Sequence, residues 1–345
     1  MKEYIIIEPW HHVGEHRGQP VRASENLRLL IEMFTNYRCN VLPMWKEGFM
    51  TMNELRNRAY QAEGVFLEGG AISANDPSKF TKSFTRGNMV KLIADFLIDG
   101  VPFSSICLSH QMTAYALEFL LRRATIEMVA SGDEELKELA NEISLTGNTL
   151  PILKGYGKVC DGWESINFTV AKNEDATLTL KKLHPYVGVG NEHIPNKIRE
   201  TYKPYASYHK GIIDQFIAED IEVEAFHADE VNEEAIKFFC WGFASIHKLL
   251  ATKNNTFEFL ERLPLGVKIT SSIKDDDGNM LTEVASMAIH FNNRVIETYQ
   301  FHPELDSTLK TVSDNWLPKL LDDGTKLIKH VILDVDTHER QSIKS

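Results

Sequence analysis

The sequence predicts an α/β fold, built on a doubly wound and mostly parallel sheet that is flanked by helices. Three features predict it. Short β-branched and apolar runs alternate with segments of helical spacing over the first 120 residues. Each run ends in small or turn-forming residues, and two polar segments, at 67–73 and 107–112, lie at the ends of such runs. Because ligands bind where parallel strands end, we expect both segments at one edge of the sheet.

The composition is that of a globular chain. Of the 345 residues 43% are hydrophobic and 25% are charged, and the formal net charge is −12. The chain has no cluster of Lys and Arg, which argues against nucleic acid and anionic membrane as partners. The apolar run before Glu8 is too short for a signal peptide or a membrane span, and the four scattered cysteines suit a reducing compartment. We therefore expect a cytoplasmic protein.

Local signals place the elements of the first hundred residues. Ser24 is a candidate helix cap, and Thr51 with Glu54 forms a capping box. The predicted strands lie at 4–8, 39–42 and 64–67. One predicted helix begins after Ser24, a second extends from Thr51 to about Tyr60, and a third lies within 83–100.

Three histidines follow the first predicted strand. His11, His12 and His16 lie in a stretch at 10–20, without an accompanying carboxylate at fixed spacing. This pattern favours a surface loop near the mouth of a site over a metal centre, so we expect no metal.

The second half of the chain is longer and more varied. It holds a polar helix at 131–141, strands at 158–171, 176–183 and 221–227, a turn at 173–175 and a helix at 232–250. That last helix is apolar on nearly all sides, which predicts that it is buried or forms a contact in a homo-oligomer. Strands at 267–271, 283–290 and 294–301, turns at 275–278 and 292–293, a helix at 324–332 and a loose tail at 334–345 complete the chain.

Cys107 stands where a Pro-led apolar run meets a helical pattern. The run begins at Val101, and apolar residues after Cys107 recur at helical spacing. A strand-to-helix turn of this kind is typical of a nucleophile elbow. The positive end of the helix dipole favours the thiolate of a cysteine at that point.

A base for this thiol is supplied by the run Phe301-His-Pro-Glu304. In an extended segment residues i and i+2 project to the same side, so Glu304 can hold and orient the imidazole of His302. We therefore predict a catalytic triad of Cys107, His302 and Glu304.

These segments resemble the class I (triad) glutamine amidotransferases. That family's elbow reads Gly-x-Cys-x-Gly-His-Gln, and its base lies in a Phe-His-Pro-Glu run. The present chain matches both, with Ser105 and Ser109 in place of the two glycines. The segment at 67–73 resembles the family's Gly-Gly-Pro-x-Ser loop, with Ala71 in place of proline.

The resemblance implies roles for further residues. It implies that the amides of Gly70 and Leu108 form the oxyanion hole, and that Gly69 and Gln111 bind substrate. It implies no metal or organic cofactor.

The segment at 206–211 is similar to the family's Tyr-His-Ser segment, which implies that Tyr208 and His209 also bind substrate. A packed structural histidine explains His209 equally well.

The resemblance also implies the domain organisation. We expect a single enlarged domain at 1–333 of the glutamine amidotransferase type, with insertions at about 122–155 and 235–265. A small antiparallel hairpin region is expected between them.

The function that follows is a glutaminase-type amidotransferase. Cys107 would form a thioester with the side-chain carbonyl of glutamine and release ammonia. The sequence has neither a Walker-type phosphate loop nor a Gly-x-Gly-x-x-Gly fingerprint, so we expect the ammonia acceptor to be a separate synthetase or ligase. Two alternatives remain open: a stand-alone γ-glutamyl hydrolase or transpeptidase, and a catalytically impaired binding or regulatory subunit.

Overall fold

The computed structural model describes residues 3–11, 14–16, 19–21, 23–35, 37–70, 72–148, 150–169, 177–179, 222–274, 280–292, 294–302, 304 and 331–332. Within this part of the chain the strands are β1 (Glu3–Glu8), β2 (Gly14–His16), β3 (Gln19–Val21), β4 (Arg38–Pro43), β5 (Gly64–Leu67), β6 (Phe103–Ile106), β7 (Leu153–Thr169), β8 (Thr177–Thr179), β9 (Glu222–Val231), β10 (Gly266–Lys274), β11 (Met280–His290) and β12 (Val295–Tyr299). The helices are α1 (Ala23–Thr35), α2 (Met52–Gln61), α3 (Arg86–Asp99), α4 (Leu108–Ala130), α5 (Glu134–Gly147), α6 (Glu233–Leu250) and α7 (Glu258–Glu261), with a 3₁₀ turn at Pro77–Lys79.

A ten-stranded sheet runs through the described part of the chain, in the order β4-β1-β5-β6-β12-β11-β10-β7-β8, and β9 pairs with β7. The five strands from β4 to β12 are parallel to one another. The remaining pairings are antiparallel. The predicted α/β class, a sheet of parallel strands with flanking helices, is therefore confirmed. The predicted hairpin region at 158–183 contains the antiparallel pair β7 and β8.

Three parallel neighbours near the centre of the sheet position the candidate site. Leu67 of β5 lies beside Ser105 of β6, and Tyr299 of β12 lies beside Ile106 of β6. The segments that follow these three strands therefore emerge side by side at one edge. They begin at Glu68, Cys107 and Gln300.

Apolar burial fixes these strands in place. Every residue of β5, β6 and β12 is buried, as strands covered on both faces require. Helices α3 and α4 pack against each other, and the first turn of α4, Leu108 to Gln111, is buried. The elbow is thus embedded in the core, where neighbouring side chains restrict its movement.

Local capping explains most helix boundaries. Thr51 forms both bonds of the predicted capping box with Glu54. Asp133 caps α5, and Asn232 caps α6. Gly100 ends α3 in the left-handed conformation, with φ at 75°, which glycine adopts without steric cost.

Some elements differ from the expectation. The stretch predicted as a loop after β1 contains a short hairpin, in which Gly14 of β2 pairs with Val21 of β3. Helix α5 extends six residues beyond the predicted end at 141, because its apolar positions Ala140 and Ile143 are buried.

Several predicted features lie wholly or largely outside the described residues. They are His12, the turns at 173–175 and 275–278, Asn293, the tail at 334–345 and, apart from Val331 and Ile332, the helix at 324–332.

Candidate active site

Cys107 adopts the geometry of a strained elbow. Its φ is 51° and its ψ is −113°, and it is the one non-glycine residue with positive φ in the described part of the chain. Its backbone N–H donates to the carbonyl of Tyr299 at 2.7 Å, which ties the turn to β12. A backbone held in so unfavourable a conformation requires support from its surroundings, and such strain is concentrated at functional sites. The thiol is 4% exposed and lies at the N-terminus of α4.

His302 and Glu304 form a buried pair after β12. His302 Nδ1 donates to Glu304 Oε1 at 2.6 Å. The imidazole is 4% exposed and the carboxylate is fully buried. A proton held on Nδ1 by the carboxylate leaves Nε2 available as the acceptor of a proton. The residue between them, Pro303, lies outside the described residues.

Gly69 brings the thiol and the imidazole together. A Cβ atom built on Gly69 would lie 2.9 Å from Cys107 Cβ and 2.9 Å from His302 Cε1, with Cys107 Sγ at 3.6 Å. Both side chains therefore pack directly against the backbone of this residue. Only glycine leaves room for that approach.

The two residues whose amides are expected to form an oxyanion hole are neighbours. A Cβ atom on Gly70 would lie 3.0 Å from Leu108 Cδ2. Neither amide N–H donates to an acceptor among the residues that the structure describes. Leu108 begins α4, where the first N–H groups of a helix have no acceptor within the helix itself. Ala71, which follows Gly70, lies outside the described residues.

The two serines that replace the family's glycines are buried and hydrogen-bonded. Ser105 Oγ and Thr113 Oγ1 lie 2.9 Å apart. Ser109 Oγ donates to the carbonyl oxygen of Glu68. The second bond joins the first turn of α4 to the residue that precedes Gly69, so Ser109 links the two halves of the candidate oxyanion hole.

A chain of side-chain amides leads away from the thiol. Gln300 Nε2 lies 3.8 Å from Cys107 Sγ, in a geometry in which the amide donates to sulfur. Gln111 Nε2 donates to Gln300 Oε1 at 3.1 Å and to the Asp229 carbonyl at 2.6 Å. The Asp229 carboxylate in turn accepts a hydrogen bond from Ser73.

The sequence reasoning missed Gln300 and Asp229. The position of Gln300, directly before Phe301-His-Pro-Glu304, was an available signal. No sequence signal pointed to Asp229, because this residue reaches the site through the pairing of β9 with β7. Tyr208 and His209 lie outside the described residues, and their substrate-binding roles remain predictions.

Glu68 is a third carboxyl group at the site and was also missed. It is 2% exposed, and its Oε1 accepts the N–H of Gly69 at 3.2 Å. Burial raises the pKa of Glu68 well above its usual range, and the nearby Glu304 raises it further, while His302 acts in the opposite direction. A glutamate that ends an otherwise apolar strand was the available signal.

One cluster among the described residues has a spacing that a metal ion could bridge. Glu68, His302 and Glu304 place one potential ligand atom each within 4.8 Å of one another. His302 and Glu304 already engage each other, so a cation would have to replace that hydrogen bond. Of the three histidines after β1, His11 is exposed and its ring centroid lies 4.3 Å from that of Trp45.

None of the helices in the described residues has the length and apolar character needed to cross a membrane.

Comparison with known proteins gives structural likenesses at low sequence identity. No protein-family model matches the chain, and no curated protein sequence matches it. A glutamine amidotransferase from Thermotoga maritima aligns with a TM-score of 0.45 and 13% identity, over 97% of this chain and 99% of its own. The glutaminase domain of Trypanosoma brucei CTPS, solved with bound acivicin, aligns with a TM-score of 0.44 and 13% identity, over 96% of this chain and 94% of its own.

A third likeness is to a glutamine amidotransferase from Methylobacillus flagellatus. It aligns with a TM-score of 0.44 and 11% identity, over 100% of this chain and 98% of its own. At these scores and identities the likenesses support no inference about function, which has to be drawn from the chain's own motifs and the geometry of its own site.

Proposed function

We propose that this chain is a glutaminase-type amidotransferase that hydrolyses the side-chain amide of glutamine at Cys107. One observation carries the proposal: Cys107 and His302 both pack against Gly69, while the adjoining Gly70 packs against Leu108. The proposed nucleophile and base thus lie against one glycine, and Leu108, whose amide is a proposed donor, lies against the next. This is the arrangement that acyl transfer through a covalent intermediate requires.

In the first step His302 Nε2 takes the proton of the Cys107 thiol. The hydrogen bond from Nδ1 to Glu304 holds the imidazole in the required tautomer. The sulfur then attacks the amide carbon, a C–S bond forms, and the carbonyl π electrons move to oxygen. The N–H groups of Gly70 and Leu108 receive this oxyanion, and each such donor contributes about 3 to 4 kcal/mol of transition-state stabilisation.

In the second step the tetrahedral intermediate collapses. The C–N bond breaks, and the proton on His302 Nε2 passes to the departing nitrogen, so ammonia leaves and a γ-glutamyl thioester remains on Cys107. His302 then activates a water molecule, which attacks the thioester, and glutamate and the free thiol are released.

The surrounding polar residues are proposed to bind the substrate. Gln111 and Asp229 lie at the far end of the amide chain that begins at the thiol. We propose that they contact the amino-acid end of a glutamine whose side chain is bound at the thiol. Tyr208 and His209 remain proposed contacts from the sequence resemblance.

The fate of the ammonia is also part of the proposal. We propose that it passes to a separate synthetase or ligase, and that the chain acts in the cytoplasm. Neither statement affects the chemistry at Cys107.

The purified chain tests the proposal directly. Ammonia and glutamate released from glutamine are measured for the wild type and for Cys107→Ala, with Cys240→Ala as the matched control because Cys240 is not at the site. We expect equimolar products from the wild type and the control, and none from Cys107→Ala.

Parallel reactions with γ-glutamyl amines distinguish the proposed glutaminase from the main alternative. Turnover of these compounds but not of glutamine would identify a γ-glutamyl hydrolase or transpeptidase. Failure to turn over either class would contradict the proposal and favour a binding or regulatory subunit.

A further inference from the structure

Glu68 is a buried ionisable group that the proposed mechanism does not use. It stands between β5 and Gly69, with its backbone carbonyl bonded by Ser109 and its Oε1 bonded by the Gly69 N–H. Its other carboxyl oxygen, Oε2, is buried and has no hydrogen-bond partner among the described residues. Leaving such an atom unsatisfied is unfavourable, and more so where the group is charged.

The neighbour of this carboxyl group is the carboxylate of the proposed triad. Carboxyl oxygens of Glu68 and Glu304 lie within 4.8 Å of each other. Two ionised carboxylates cannot hydrogen-bond, because neither has a proton to donate. Two like charges at this separation in a buried site also repel strongly, so such a pair tends to retain one proton.

The surroundings decide which of the two carries the proton. Glu304 accepts the proton on His302 Nδ1, which favours its ionised form. Among the described residues no Lys or Arg pairs with Glu68, and burial together with the nearby Glu304 raises its pKa well above the usual range. Among the described residues, the other ionisable group that acts on Glu68 is His302, after β12, while Cys107 packs against the adjacent Gly69.

We propose that Glu68 is held as a neutral carboxylic acid whose Oε2–H donates to Glu304, and that it acts as a positioning residue for the triad. Its Oε1 holds the Gly69 N–H, and its Oε2–H holds the carboxylate that orients His302. Glu68 therefore fixes the Gly69–Gly70 segment and the base His302 relative to each other. This role rests on the proposed glutaminase function, whereas the protonation state of Glu68 does not.

A pH dependence follows from this arrangement. Below the pKa of Glu68 in the folded protein, the acid is neutral and the bond to Glu304 is present. As the pH rises through that pKa, the proton is lost, the bond disappears, and two negative charges face each other beside His302. The value of kcat should fall in this range.

Two variants separate the functions of the proton and the carboxyl group. Glu68→Gln has nearly the same shape, and its amide can donate to Glu304 and accept from Gly69 at every pH. Glu68→Leu fills similar space but provides neither bond. The exposed Glu47, changed to Gln, serves as the matched control.

Infrared difference spectroscopy reads the protonation state without any turnover. The wild-type spectrum at neutral pH, minus that of Glu68→Gln, should contain one carboxylic-acid C=O band, and Glu47→Gln should leave that band in place. The band should disappear as the pH of the wild-type protein is raised. A difference spectrum that contains only carboxylate bands would overturn the proposal. So would a stoichiometric metal ion that the wild type retains and Glu68→Gln does not, because a cation would then occupy the place of the proton.

Kinetics test the positioning role. Glu68→Leu should lower kcat about ten- to a hundredfold, with KM changed less than about twofold, because loose placement of a base impairs the chemical step. Glu68→Gln should recover most of that loss and move the alkaline fall of kcat upward. Equal rates for Glu68→Leu and the wild type would overturn this role. Should Glu68→Leu not fold, the infrared comparison decides, since it needs only the wild type and Glu68→Gln.

The two proposals fail in different ways. A chain that shows the acid band but does not hydrolyse glutamine would refute the proposed function alone. A chain that hydrolyses glutamine but lacks the band would refute only the assignment of Glu68.

Discussion

Replacing Gly69 with alanine would place a methyl group between the proposed nucleophile and the proposed base. The new Cβ would lie 2.9 Å from both Cys107 Cβ and His302 Cε1. Carbon atoms pack at about 3.5 to 4.0 Å, so each neighbour must move by roughly 0.6 to 1.1 Å relative to the loop. A misplacement of about 1 Å at a reacting centre can cost about 100-fold in rate, or about 2.7 kcal/mol. We therefore expect kcat to fall at least about 100-fold.

The same substitution also strains the fold, and the assay has to separate the two effects. Overpacking a close-packed region costs about 1 to 3 kcal/mol of unfolding free energy. Urea denaturation gives that cost, and the initial rate of ammonia release at saturating glutamine gives kcat for the folded fraction. Gly87→Ala is the matched control, because Gly87 lies exposed in α3 and its added Cβ would have no neighbour closer than 3.9 Å. A folded Gly69→Ala variant with kcat within about threefold of the wild type would refute the placement of the thiol and imidazole against Gly69.

Three further predictions concern other parts of the site. Burial raises the pKa of the Cys39 thiol, so iodoacetamide should alkylate Cys107 first near neutral pH, and peptide mapping that finds Cys39 labelled faster would contradict this. Ser109→Ala removes the hydrogen bond to the Glu68 carbonyl, so it should lower kcat about tenfold. Ser109→Gly should not be faster than the wild type. A faster glycine variant would show instead that the serine strains the elbow. The pKa of Glu68 is higher in the folded protein than in the unfolded chain. Folding therefore takes up a proton at pH values between these two pKa values, and the wild type loses stability as the pH rises through that range. Relative to the wild type, Glu68→Gln should therefore become more stable by about 1.4 kcal/mol for each pH unit over that range, as measured by urea denaturation. The same dependence of unfolding free energy on pH in both proteins would contradict the raised pKa.

Local sequence signals were sufficient wherever a few neighbouring residues decide the structure. The capping box at Thr51 formed both of its expected bonds, and the break in pattern at Cys107 marked the strained turn between β6 and α4. The order of apolar runs and helical segments predicted the α/β class for the same reason, since each element carries its own period.

Tertiary partners were harder to predict. Glu68, Gln300 and Asp229 reach the site because β5, β12 and β9 take particular places in the sheet, and one sequence does not reveal strand order. The hydrogen bonds of the elbow serines were hidden for the same reason. Ser109 meets a carbonyl 41 residues earlier in the chain. The roles of the site residues themselves stay predictions, because each depends on chemistry that a reaction has to demonstrate.

The covalent intermediate on Cys107 is the most direct measurement of the proposed chemistry. The chain is mixed with saturating glutamine, quenched in acid during steady-state turnover, and analysed by intact-mass and peptide mass spectrometry. We predict a mass increase of one glutamyl group, located on Cys107, sensitive to hydroxylamine as a thioester is, and absent from Cys107→Ala. Ammonia release that continues in Cys107→Ala, or a glutamyl group found on another residue, would contradict the assignment of Cys107 as the nucleophile.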